Sequence, residues 1–293
     1  MMNLNMPHLS WRQAALALYL ICISPGSVWG QTAPAIYGIH TVSDSFVIKV
    51  IDLTDNGSFE KELARIDRLP DEQIKDIVQL TTPDVALIKI SAQKQSVLAT
   101  ITNPAAVAAV TRPVPQEMPV NGLSKGVALQ HAVALNDTTL IGLTSDITDT
   151  PPFNMVSLNL ASGRVAALKR YSLETDQRIG NFTRCPDNTI YATTLTRKSG
   201  TRLLKIDAKN FKFSEVASLR FRNEPLRNDV MSLACSPSGE LYALANPTYE
   251  GTNSLFNLNP LDGQLTLLRQ FDVEKITFNI PLSTQPLSEV SGP

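Results

Sequence analysis

CSPSGELYALA, residues 235–245, decides the fold. It returns as CPDNTIYATTL at 185–195 and, more loosely, as NDTTLIGLTSD at 136–146, PDVALIKISAQ at 83–93 and AIYGIHTVSD at 35–44. Tyr37, Ile88, Ile141, Tyr191 and Tyr242 fill one slot, with gaps of 51, 53, 50 and 51 residues. A short-strand unit cannot bury its apolar face alone. Repeated at this period, it buries that face against its neighbours around a ring, which is the arrangement of a β-propeller.

Each copy continues in the same way, with a polar loop, a third strand, a turn and a fourth strand. The outer pairs are 46–63, 96–112, 154–170, 202–216 and 254–271, with Asn-Gly, Asn-Pro, Ser-Gly and Asp-Gly among the turns. Alternating apolar residues flank those turns, as hairpins require. An innermost strand precedes four of the copies: Ile74–Leu80, Ala132–Leu135, Asn181–Cys185 and Met231–Cys235. The first copy lacks one, and Ile276–Ile280 supplies it, so that the last strand completes the first blade and closes the ring. The reading is an all-β, five-bladed propeller. A six-bladed ring is the alternative, with a blade hidden in 112–130.

The chain resembles β-propeller repeat proteins whose blades read Ser-Pro-Asp-Gly-x-Leu-Tyr-x-Leu, over nearly all of 35–281. Kelch and WD signatures are missing: there is no Gly-Gly pair, and both Trp lie before residue 31. The resemblance implies architecture and little about activity, because such rings host many functions.

Residues 1–30 read as a secretory leader. Arg12 precedes the apolar run Ala14–Ile23, Pro25-Gly26 breaks it, and Val28-Trp29-Gly30 presents a cleavage site before Gln31. The run is too short to span a bilayer. The expected organisation is a leader at 1–30, one propeller at 31–285 and a tail at 286–293. The mature chain would be secreted or periplasmic, without a membrane span. It keeps Cys185 and Cys235, which an oxidising compartment allows to pair. Aligned by the repeat, they fall one residue out of phase and would point to opposite faces of their strands. That argues against a bridge without excluding one.

Several chemistries lack their residues. Glycoside hydrolysis needs two facing carboxylates, and the innermost strands offer only Asp76, read as a solvated strand end. Gly122-Leu123-Ser124-Lys125-Gly126 matches a nucleophile-elbow pattern but follows a Pro-rich link, where no strand-to-helix turn is expected. His131 follows it without an evident acidic partner. His40 and His131 lack further ligands at metal spacing. Asp146 and Asp149 suit a polar loop better than a calcium loop. No phosphate-binding glycine loop occurs. Neither a catalytic residue, a metal nor a cofactor is expected.

Charge is uneven. Residues 31–160 carry 9 Lys and Arg against 14 Asp and Glu, 161–228 carry 14 against 6, and 229–293 carry 2 against 7. In a propeller, the links between blades and the loops between second and third strands share one face. Arg178, Arg197, Lys198, Arg222 and Arg227 are therefore expected on one rim, joined by Arg170, Arg202 and Arg220. Arg184 would look into the channel. Clustered arginine favours carboxylate, sulfate or phosphate. The acidic link with Asp67, Asp71 and Glu72 would lie on the same face. A nucleic-acid partner is not expected from a net-acidic mature chain poor in stacking aromatics. The reading is an exported, non-catalytic binding module for an anionic glycan or protein. The alternatives are a purely structural envelope protein and a hydrolase or lactonase-like enzyme. That enzyme would hold its metal in the channel through Asp76, Asn136, Asn181 and Asn279.

Overall fold

The structure is a computed structural model. It describes residues 35–53, 60–104, 114–171, 177–249 and 251–278. The expected leader, the tail and Asn279 lie outside these residues. No helix among the described residues is long and apolar enough to cross a membrane.

Five sheets form five blades. Blade 1 joins β1 (Ala35–Thr41), β2 (Ser45–Asp52) and β3 (Lys61–Asp67) to the last strand of the chain. Blade 2 is β4 (Gln73–Gln79), β5 (Val85–Ile90), β6 (Ser96–Ile101) and β7 (Gln116–Pro119). Blade 3 is β8 (Val127–Asn136), β9 (Thr139–Asp146), β10 (Phe153–Asn159) and β11 (Val165–Tyr171). Blade 4 is β12 (Arg178–Arg184), β13 (Ile190–Thr196), β14 (Gly200–Ile206) and β15 (Phe213–Ser218). The hairpin β16 (Arg220–Phe221) and β17 (Glu224–Pro225) then attaches to the outer edge of blade 5. Blade 5 itself is β18 (Val230–Cys235), β19 (Leu241–Ala245), β20 (Ser254–Leu258) and β21 (Gln264–Gln270). Finally β22 (Lys275–Phe278) pairs antiparallel with β1, Tyr37 opposite Thr277, and closes the ring. The hidden sixth blade is absent: part of its proposed segment forms β7, the fourth strand of blade 2, which lies beyond the expected limit at residue 112.

The repeat slot has a single physical meaning. Tyr37 packs in a core shared with blade 2, Ile88 with blade 3, Ile141 with blade 4 and Tyr242 with blade 1. Tyr191 packs against the core between blades 4 and 5. Every slot residue thus faces the next blade. Side chains on either side of it face the previous one: in β13, Ile190 and Ala192 pack on blade 3 and Tyr191 on blade 5. One apolar core fills each of the five interfaces, and strands such as β5, β10 and β13 contribute to two of them through their period of two.

This alternation reverses the expectation for the cysteines. Cys185 and Cys235 form a disulfide, Cα atoms 5.2 Å apart. Arg184 turns back to blade 3, donating to the carbonyls of Ala134 (2.9 Å) and Leu135 (2.8 Å). Its neighbour Cys185 therefore faces forward, into the core with blade 5. Cys235 ends β18 as Arg184 ends β12, so it faces back. Residues on neighbouring blades meet when they are out of phase. The phase difference is what brings the thiols together.

Candidate functional site at the channel mouth and link face

The channel itself is nearly filled. Ile77, Val78, Ala132, Val133, Phe182 and Leu233 are among the residues around a cavity of about 20 Å³. That is space for about one water by the usual measure. Openings of useful size lie on the face where the innermost strands begin.

A repeated backbone irregularity shapes that end. Each innermost strand of blades 2 to 5 carries one extra residue against its neighbour. The pairing shifts between Ile74 and Asp76, Leu129 and His131, Gly180 and Thr183, and Val230 and Ser232. Such bulges re-aim side chains and reverse the inward and outward alternation. In β12 the bulge includes Asn181 at φ 56°, a left-handed conformation that asparagine tolerates. Its amide donates to Thr193 Oγ1 at 2.9 Å and to the carbonyl of Val230, tying blade 4 to blade 5.

Beside these bulges is a mouth cavity of about 240 Å³. His131, Asp149, Arg178, Asn181, Asp229 and Lys275 contribute to its wall. His131 is buried, with Nδ1 3.5 Å from Asp76 Oδ2 and no hydrogen-bond partner. Its ring lies against Gly180, where an added Cβ would come within 2.6 Å of Nε2. The acidic neighbour that the sequence did not reveal is thus Asp76. Nor is Asp76 a solvated strand end: it is buried and accepts the N–H groups of Ile77 (3.0 Å) and Ala132 (3.2 Å). Burial pushes the Asp229 carboxyl above the usual carboxylate range, against the pull of Lys275, His131 and Arg178. Burial likewise lowers the Lys75 ammonium, which donates to the carbonyl of Ile147 at 3.2 Å.

A larger cleft of about 1120 Å³ opens between blades 2 and 3. Lys75, Lys94 and Lys125 line it with Gln73, Gln93, Gln95, Asn121, Ser124 and Thr148; among the described residues, no carboxylate and no aromatic ring does. Ser124 sits in a turn closed by the Val127 N–H to its carbonyl, on an exposed link rather than a strand-to-helix elbow. The 147–149 stretch belongs to both depressions, Ile147 and Thr148 on the cleft and Asp149 on the mouth.

The predicted arginines divide. Arg178 lines the mouth. Arg197 and Lys198 are exposed on the turn between β13 and β14. Arg227 adjoins that turn, because Thr201 bonds the carbonyls of Leu226 and Asn228 on either side of it. These four belong to one face. Arg222 instead sits on the β16–β17 hairpin at the outer edge of blade 5, its guanidinium 5.0 Å from the Phe221 ring. Arg184 does not look into an open channel; it is a buried clasp between blades 3 and 4 that also holds Asn188. Glu72, expected on an acidic rim, is buried and paired with Lys89 at 2.9 Å.

The candidate metal ligands do not converge. Asp76 is committed to backbone N–H groups, and Asn136 lies at the far end of its strand, accepting from Thr138. Asp146 folds its own loop by accepting from Thr148 and Thr150. Burial raises its pKa, but those hydrogen bonds outweigh it and hold the carboxyl below its usual value. His40 is half-buried on β1. Among the described residues, no three His, Cys, Asp or Glu side chains group as metal ligands.

These features define a five-bladed β-propeller with a nearly filled channel and a charged, indented link face. Among solved structures it is similar to TolB from Acinetobacter baumannii, at 13% identity and TM-score 0.50, over 94% of this chain and 74% of that one. A protein of unknown function from Bacteroides caccae matches at 10% identity and TM-score 0.48, over 84% and 99%. The structure of putative TolB from Agrobacterium tumefaciens matches at 12% and 0.45, over 85% and 86%. Likeness at this identity shows the fold alone. No family model and no curated protein matches the chain.

Proposed function

We propose that this protein is an exported interaction module that binds an acidic protein segment on its link face, without catalysis. The observation that carries the reading is the cleft between blades 2 and 3, where Lys75, Lys94 and Lys125 stand among amides and hydroxyls, with no carboxylate among the described residues of the wall. Such a groove attracts carboxylates and offers hydrogen bonds to an extended backbone. With no aromatic ring in the wall, sugar faces have nothing to lie on, so a peptide fits better than a glycan. Arg178, Arg197, Lys198 and Arg227 extend positive charge along the same face. The disulfide supports export, since such bonds persist in oxidising compartments, and the leader-like segment 1–30 agrees with it.

The test is capture of immobilised poly-glutamate peptides, acidic glycans and neutral glycans across a salt series. Binding of the acidic peptides that weakens with salt and falls at least about tenfold in Lys94→Glu/Lys125→Glu supports the cleft. Equal loss in Arg197→Glu/Arg227→Glu would extend the surface to blade 4. Preference for a glycan, or acidic-peptide binding unchanged by the cleft variants, would refute this assignment.

A further inference from the structure

We propose that the 240 Å³ mouth cavity is a second, separate site, which takes a small zwitterion of the α-amino acid or dipeptide class. The cavity is a little smaller than the ~300–1,000 Å³ of pockets for drug-sized ligands. Its wall carries both signs of charge: Asp149 and Asp229 against Arg178 and Lys275. Charges gathered so closely ordinarily pair with one another. Here no salt bridge joins any two of the four among the described residues. A ligand bearing both an ammonium and a carboxylate satisfies the two sets together.

The hydrogen-bond inventory agrees. An ammonium needs three acceptors and a carboxylate needs several donors. Asp149 accepts one bond, from Ser145 Oγ at 3.2 Å, and keeps further lone pairs. Asp229 carries no side-chain hydrogen bond among the described residues, and desolvation by burial raises its pKa. Asn181 spends its amide N–H groups on Thr193 and Val230, which leaves its carbonyl oxygen for a donor. On the other side, Lys275 uses one N–H on the carbonyl of Met231 at 2.5 Å and keeps two. The Arg178 guanidinium is exposed and bonds no described residue, so among those residues its fork is left for a carboxylate. His131, its Nδ1 turned to Asp76, completes the wall. The bulges set Asn181 and Met231 at the rim on strands, while Asp149 and Asp229 reach the wall from a loop and an inter-blade link.

Calorimetric titration of the purified protein with the standard α-amino acids and Ala-Ala, beside their N-acetylated and C-amidated forms, tests this. The expected result is binding of at least one free zwitterion, with blocking of either end costing about tenfold or more. Arg178→Ala weakens the free ligand by a similar factor, and so does Asp229→Asn, an isosteric change that leaves the fold intact by circular dichroism. Lys94→Glu/Lys125→Glu leaves this binding unchanged, which separates the site from the cleft. The proposal is overturned if no zwitterion binds at about 1 mM, if the blocked forms bind as well as the free ones, or if neither mouth variant weakens binding.

Discussion

Replacing Cys185 and Cys235 together by alanine tests how the ring is stabilised. Both side chains are buried at the interface of blades 4 and 5, so alanine leaves no unsatisfied hydroxyl where serine would. The bond closes a loop with a sequence separation of 50. In the chain-entropy account, a loop of that length restricts the unfolded chain by about 4 kcal/mol at 25 °C. A domain of this size has a total stability of roughly 5–15 kcal/mol, and each kcal/mol moves Tm by about 2–4 °C. The variant, or the wild type under reductant, is expected to melt roughly 10 °C lower, with native circular dichroism unchanged at 25 °C. Because the effect lies in the unfolded chain, the urea m-value should rise as the denatured state expands. Thiol counting gives a direct check: of the three cysteines in the full chain, only Cys22 should react under denaturing, non-reducing conditions. Three reactive thiols would refute the bridge. A bridge whose removal leaves Tm and m unaltered would refute the entropic account of its role.

Two further perturbations probe buried charge. Lys89→Met removes a cation whose Nζ lies 2.9 Å from Glu72 and 2.6 Å from Glu117, and strands the Glu72 carboxylate in the interior; urea denaturation should show a loss of about 3–5 kcal/mol, largely restored by adding Glu72→Gln. A neutral loss would mean that Glu72 is solvated and that the pair is not a structural one. Asp229→Asn should stabilise the protein at neutral pH. The folded-state pKa of Asp229 is raised, so its contribution to stability is fully present below the unfolded value of about 3.9 and is lost as pH rises through the folded value. The advantage of the asparagine variant should therefore shrink as pH falls, and a gap between the two proteins that is flat from pH 3 to 8 would contradict the raised carboxyl.

The ring was legible because its core obeys strict rules. A repeated slot, a period of two and turn residues between strands are enough to place strands in every blade, and the ring closure by β22 follows from the blade that lacks a first strand. The fourth strand of blade 2 escaped because Gln116–Pro119 is short and largely exposed, while the apolar run after Asn103-Pro104, ending at residue 112, read as that strand instead. The site was less legible for a related reason. Parity reasoning assumes an unbroken ladder, and the ladder breaks beside Lys75, Gln130, Asn181 and Met231. Nothing in local composition marks those bulges. Asp149 and Asp229, which come from loops and links, meet His131 and Lys275 only once blades 1, 3 and 5 are placed around the axis. Arg184 shows the opposite failure: its residue type suggested a ligand, while its slot, shared with Cys235, is one that faces the preceding blade.

The bulges also explain how one ring holds both a closed channel and an open mouth. Below them, side chains such as Val78, Val133 and Leu233 fill the axis, before β8 shifts register a second time between Ala134 and Asn136. At the bulges, polar side chains take over contacts between blades: Asp76 caps the Ala132 N–H, and Ser232 both donates to and accepts from the backbone of Ile276. Those bonds secure the rim without apolar filling, and so leave space beside His131 and Asp229. A site made this way carries a cost, since Asp229 sits desolvated without a salt bridge among the described residues. That cost is the reverse side of binding. Groups already partly desolvated lose less on meeting a ligand than groups that must first shed their water.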